Sequence, residues 1–160
     1  MAAFTTLALA DRDFDSPLNE DLVDPLNDRD EELRERPCYL EVAEFQRSVT
    51  AYIAAPGDKS WEIYVPETGN QLYVAFQARI NDATTGEVQC KIGALTSSEV
   101  STSNTAYSTQ PVFWCIFTDL STVKGTEVQL DMYVKYTTAT GGTPWIRVRE
   151  ADGPASYFIG

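Results

Sequence analysis

Three aspartates at alternate positions, Asp11, Asp13 and Asp15, match the first three ligands of a calcium-binding loop. Such a loop needs glycine at its sixth position and glutamate at its twelfth, where this chain has Ser16 and Leu22. The run therefore reads as acidic capping of a helix start. A pair of carboxylates could instead cleave a glycosidic bond, and Glu62, Glu67, Asp82, Glu87, Asp119, Glu127 and Asp131 are candidates. Several of them alternate with apolar residues, as the wet face of a sheet requires. The chain has no histidine, which removes the commonest metal ligand and the usual general base near neutral pH. It also has no nucleophile elbow and no glycine-rich phosphate loop. The expectation is a protein without enzymatic activity, cofactor or metal. Cys38, Cys90 and Cys115 are odd in number and widely spaced, which predicts packed, reduced thiols.

Aromatic side chains carry the better case for ligand binding. Trp61, Tyr107 and Trp145 are the candidates for presenting a ring to a sugar or a protein, with Tyr64, Tyr73 and Tyr133 behind them. Aromatic pairing between strands of one sheet is the competing explanation for all of them. Trp114 reads as core or interface.

The 160 residues carry a net charge of -12. That acidity argues against a nucleic-acid partner, whose phosphates need clustered Lys and Arg. The charge is uneven: residues 1–36 hold eleven Asp/Glu against four Lys/Arg, about -7 of the total. The opening ten residues end in Ala-Leu-Ala but lack a basic leader, so a secretory signal is not expected. No stretch reaches the roughly 18 apolar residues of a membrane span. The expected place of synthesis is a cytoplasm.

The elements that must position these residues fall into two parts. Residues 1–36 form an arm with Phe4, Leu7 and Leu9, followed by an acidic helical segment. Ser16 suits the cap of that helix and Pro17 its first position, while Asp24-Pro25 breaks and restarts it and Pro37 ends it. Leu18, Leu22, Leu26 and Leu33 make a thin apolar stripe, narrower than a globular core claims and suited to packing round a symmetry axis. So short a helical segment does not stabilise itself, which points to oligomerisation or docking.

From residue 37 to residue 160 the apolar period is two. Residues 72–80, 87–92 and 127–136 alternate cleanly, and weaker strands are predicted at 39–45, 49–55, 61–65 and 145–149. Residues 111–117 are apolar on both faces, which predicts a strand covered by the core and by a second surface. The Ser/Thr-rich stretch 96–109 reads as a long exposed loop. The sum is an all-β chain, an antiparallel β-sandwich of jelly-roll type, with a short N-terminal arm and acidic helical segment.

Asp13-Phe14-Asp15-Ser16-Pro17-Leu18-Asn19-Glu20-Asp21-Leu22 resembles a segment of structural proteins of tailed bacteriophages, in which a short acidic helix precedes a β-rich domain. The resemblance covers residues 10–36. It implies a virion component made in the host cytoplasm, commonly a homotrimer, whose N-terminal part docks on phage head or tail proteins and whose β-domain faces outward as a fibre or capsid decoration. The interruption at Asp24-Pro25 departs from a continuous coiled coil. Two other functions stay open: a carbohydrate- or receptor-binding module contacting a host surface glycan, and a polysaccharide depolymerase.

Overall fold

A computed structural model describes residues 35–56, 60–107 and 112–160, with the main chain alone for Glu35. Phe4, Leu7, Leu9, Leu18, Leu22, Leu26 and Leu33 lie outside the described residues, and so does the expected acidic helix up to residue 34. The described residues contain no helix.

Their strands are β1 (Glu35–Cys38), β2 (Phe45–Arg47), β3 (Ile53–Ala54), β4 (Trp61–Tyr64), β5 (Gln71–Asn81), β6 (Ala83–Ile92), β7 (Leu95–Thr96), β8 (Val100–Thr102), β9 (Phe113–Phe117), β10 (Glu127–Ala139), β11 (Trp145–Arg149) and β12 (Ser156–Ile159). All described pairings are antiparallel. They make two sheets, one of β1, β2, β5, β9, β11 and β12, the other of β3, β4, β6, β7, β8 and β10.

Several short strands are halves of one interrupted row. Both β11 and β12 pair with β5, against its two ends, and β2 and β1 pair with them in turn. In the second sheet β3 and β4 share β10, and β7 and β8 share β6. Main-chain bonds cross two of the gaps: Glu150 N–H to Val42 O at 2.9 Å, and Ala55 N–H to Met132 O at 2.7 Å. Numbered along the chain, the rows are β1–β2, β3–β4, β5, β6, β7–β8, β9, β10 and β11–β12. The first sheet orders them one, eight, three, six, and the second orders them two, seven, four, five.

One core fills the space between the sheets. Leu72, Val74, Phe76 and Ile80 of β5 face Val88, Cys90 and Ile92 of β6 and Leu130, Met132 and Val134 of β10. Burying such side chains contributes about 1.5–3 kcal/mol each before chain entropy is counted. The sheets approach closely at Gly86, where a Cβ would stand 2.6 Å from both Ile80 and Ile146. The three cysteines are buried free thiols, as their spacing predicts.

Some expectations are corrected. Glu35 and Arg36 belong to β1, so the β-region starts two residues before the expected boundary and the helix cannot run to Arg36. Pro37 sits within β1, where an edge position spares it the ladder bond it cannot donate. The strand expected at 39–45 is not there: 39–44 is irregular between β1 and β2 and only Phe45 is in a strand, while that expected at 49–55 shrinks to Ile53–Ala54. The stretch 96–109 is not all loop: β7 and β8 pair with β6, and Ser97 Oγ accepts from Cys90 N–H at 2.9 Å. Small polar residues can hold an edge row through such bonds without bringing apolar mass. β12 was not expected, because its four residues are too few to show a readable period.

Candidate functional site: the outer face of the first sheet

The alternation that sends Leu72, Val74 and Phe76 into the core sends Tyr73, Ala75, Gln77 and Arg79 outward, and register gathers further side chains beside them. Arg147 lies opposite Arg79, Arg149 opposite Gln77, and Trp145 opposite Asn81. Tyr157 and Ile116 flank Tyr73, and Trp114 lies opposite Ala75.

Arg79 and Arg147 are like charges in directly opposed positions, which by itself disfavours the pairing. Aromatic faces offset this. The Arg79 guanidinium carbon is 4.8 Å from the Tyr107 ring centre and 5.3 Å from that of Trp145. Arg147 stands 4.7 Å from Trp145, and Arg149 stands 4.2 Å from Tyr107. The result is a ladder of alternating cations and rings, each contact contributing about 0.5–1 kcal/mol where exposed. At its margin Arg147 bonds Gln46 Oε1 at 2.6 Å and approaches Glu44 at 3.6 Å, while Arg149 meets Asp152 at 2.7 Å. Gln77, only 2% exposed, accepts from Arg149 Nε at 3.1 Å and Nη2 at 2.9 Å.

Two loops place the rings. After β8 the chain crosses to the first sheet, where Ile80 N–H donates to Asn104 O at 2.8 Å and brings Tyr107 over Arg79. Asp82, in the left-handed region at φ 48, receives Thr143 N–H at 3.1 Å and Thr143 Oγ1 at 3.0 Å, fixing the approach to Trp145. Gly141 is required there, since a Cβ would stand 2.4 Å from the Asp82 carboxyl carbon. Burial, then the neighbouring Glu44 carboxylate, pushes the Tyr107 hydroxyl up to about 12, partly offset by Arg79. That hydroxyl and Arg79 Nε are both buried and meet hydrogen-bond geometry with no described group.

The other end of the face is aromatic without cations. Tyr73 and Tyr157 stack at 4.9 Å with 4° between planes, and Trp114 stands edge-on to Tyr157 at 5.5 Å. Beside them both outer rows break at the same level, at 39–44 and 150–155. Ser156 Oγ supplies the acceptor for Ala75 N–H at 2.9 Å where the row is broken. Two adjoining hollows of about 330 and 340 Å³ open there, sharing Pro154–Ser156 as a wall. Cys38 lines one of them, its thiol pushed up to about 11 by burial.

Of the residues singled out from sequence, Tyr107 and Trp145 meet through Arg79. Trp61 does not join them. It lies on β4 of the second sheet, half-buried, with Nε1 donating to Glu41 O at 3.0 Å. Sequence reasoning missed Tyr157, Arg79, Arg147 and Arg149 as site residues and set Trp114 aside. A usable signal was present: Trp145, Arg147 and Arg149 occupy alternate positions in a strand of an acidic chain.

Three of the carboxylates weighed for hydrolysis have other attachments. Glu87 pairs with Lys135 at 2.5 Å, Asp131 accepts from Ser60 at 2.6 Å, and Asp119 accepts from Ser121 N–H at 2.8 Å. The Ser121 bonds hold the Asp119 carboxyl below its ordinary range. Among the described residues no group of three His, Cys, Asp or Glu could hold a metal ion, and no helix is long and apolar enough to cross a membrane. Comparison with protein-family models and with curated proteins gives no match to this chain.

Proposed function

We propose that this chain is a non-enzymatic structural protein of a bacteriophage virion, a homotrimer whose N-terminal segment docks on the head or tail while a jelly-roll β-sandwich faces outward. The observation that carries the reading is the nesting of the rows: one with eight, two with seven, three with six, four with five. A long hairpin folded over on itself gives that order, and it is the order of a jelly roll, an architecture that recurs in viral capsid and lectin domains. Fold alone does not fix function. Two further features support the reading: an acidic, Leu-striped segment precedes a β-region with its own core, and the weighed carboxylates named above are engaged in holding turns and strands. Three weak anchors on one trimer would gain from effective concentration.

Light scattering on the full chain and on residues 35–160 tests this. The expected result is a trimer for the full chain and a folded β-region for the shorter one. A full chain that stays monomeric at every concentration overturns the trimer. Unfolding of residues 35–160 overturns the division into anchor and outward domain.

A further inference from the structure

We infer that the cleft at the broken rows of the first sheet is a binding site for a neutral oligosaccharide. Its walls have the chemistry of such a ligand. Pro37, Trp114 and Tyr157 line one hollow, and Tyr39, 87% exposed, lines the adjoining one. Flat rings match the C–H faces of a pyranose and shed water as the sugar stacks. Glu41 and Glu150, both exposed, line the same hollow as Tyr39. A carboxylate is an acceptor only, so it suits the hydroxyl donors of a sugar.

Charge decides between kinds of sugar. The cleft is lined by two carboxylates and no Lys or Arg, in a chain of net charge -12, so sulfated or uronic glycans are repelled. The three arginines of the face are not in the lining: Arg149 lies opposite Gln77, Arg79 and Arg147 lie one outward-facing pair further on, and all three are already engaged with rings, two of them with acceptors as well. Each hollow is at the lower end of the roughly 300–1,000 Å³ of small-ligand pockets, which fits one or two sugar rings.

The shape has a backbone origin. Ala75 gives the floor a methyl group in place of a large side chain, between Trp114 and the broken row. The excursion 150–155 lifts the chain away from β5, and Ser156 returns it with its hydroxyl bonded to the strand. The cleft is thus fixed by main-chain geometry, and binding requires little ordering.

The test uses the full chain with cellotriose, maltotriose and chitotriose as probes and trigalacturonate as the anionic comparison. Amide shift perturbation and tryptophan fluorescence are read together. At least one neutral trisaccharide is expected to bind in the millimolar range and perturb amides at 37–41, 114 and 150–157, while trigalacturonate does not. Tyr39→Ala and Glu150→Gln, both exposed and not needed for the core, are each expected to weaken binding about tenfold or more. Trp114→Ala is expected to abolish it. No perturbation by any neutral probe, perturbation confined to Tyr107 and Trp145, or unchanged affinity in both exposed-site variants would each overturn the site. A null result leaves the virion reading standing, since that rests on the order of the rows and on the N-terminal segment and is tested by mass.

Discussion

The two outer faces obey the same alternation and come out differently. On the second sheet, Asp131 lies opposite Lys91 and Glu87 opposite Lys135. Lys91 covers Tyr133 at 4.6 Å, Lys135 covers Tyr52 at 4.4 Å, and Tyr52 gives its hydroxyl to Glu99 at 2.5 Å. These charges are answered within their own face, and water serves the rest. On the first sheet Arg79 opposes Arg147, rings stand between the cations with Glu44 and Asp152 at the margin, and three further aromatics lie beside the hollows. Opposed unlike charges make a face complete in itself. Opposed like charges make one whose cohesion depends on the rings between them.

The largest change expected touches what both faces share. Phe76 is fully buried and packs against Phe113 at 5.8 Å, so Phe76→Ala should cost about 3–5 kcal/mol in denaturant unfolding. Both faces should be lost in one transition, and two separated transitions would mean that the sheets do not share a core.

Alkaline pH should act next, from the first sheet. The Cys38 thiol ionises near 9.0 when unfolded and near 11 when folded, so the folded state holds its proton longer. Its contribution is fully present below pH 9.0 and is lost as pH rises through about 11, about 2–3 kcal/mol in all. Cys38→Ala should remove that part of the alkaline loss, measured as unfolding free energy against pH.

The smallest changes sharpen the contrast between faces. Arg149→Ala strands the buried Gln77 oxygen and should cost about 1–3 kcal/mol. Lys91→Ala on the second sheet removes only a part-exposed cation from over the Tyr133 ring and should move the unfolding midpoint less. Equal effects would erase the distinction.

The long alternating strands were legible because a half-buried strand records its inner face at every second residue. Residues 127–136 and 72–80 fall within β10 and β5. Of the short strands, β3 and β4 fall within the predicted 49–55 and 61–65, whereas β7, β8 and β12 were not read, because two to four residues are too few to carry a period and owe their place to a neighbour. Of the site, Tyr107 and Trp145 were legible as rings of an exposed kind. Their meeting through Arg79 was not, since it joins β5, β11 and the chain after β8, and no spacing encodes that.

Sequence by itself determined the all-β character from residue 37 onward, the inward and outward sets of the long strands, the reduced cysteines and the concentration of acid before β1. These follow from local periodicity and from composition, which need no partner in space. Tertiary structure decided that β1 takes in Glu35 and Arg36, that two rows break side by side to open a cleft, and that like charges face one another across β5 and β11. Each depends on register between segments distant in the chain, and register is set by the whole core.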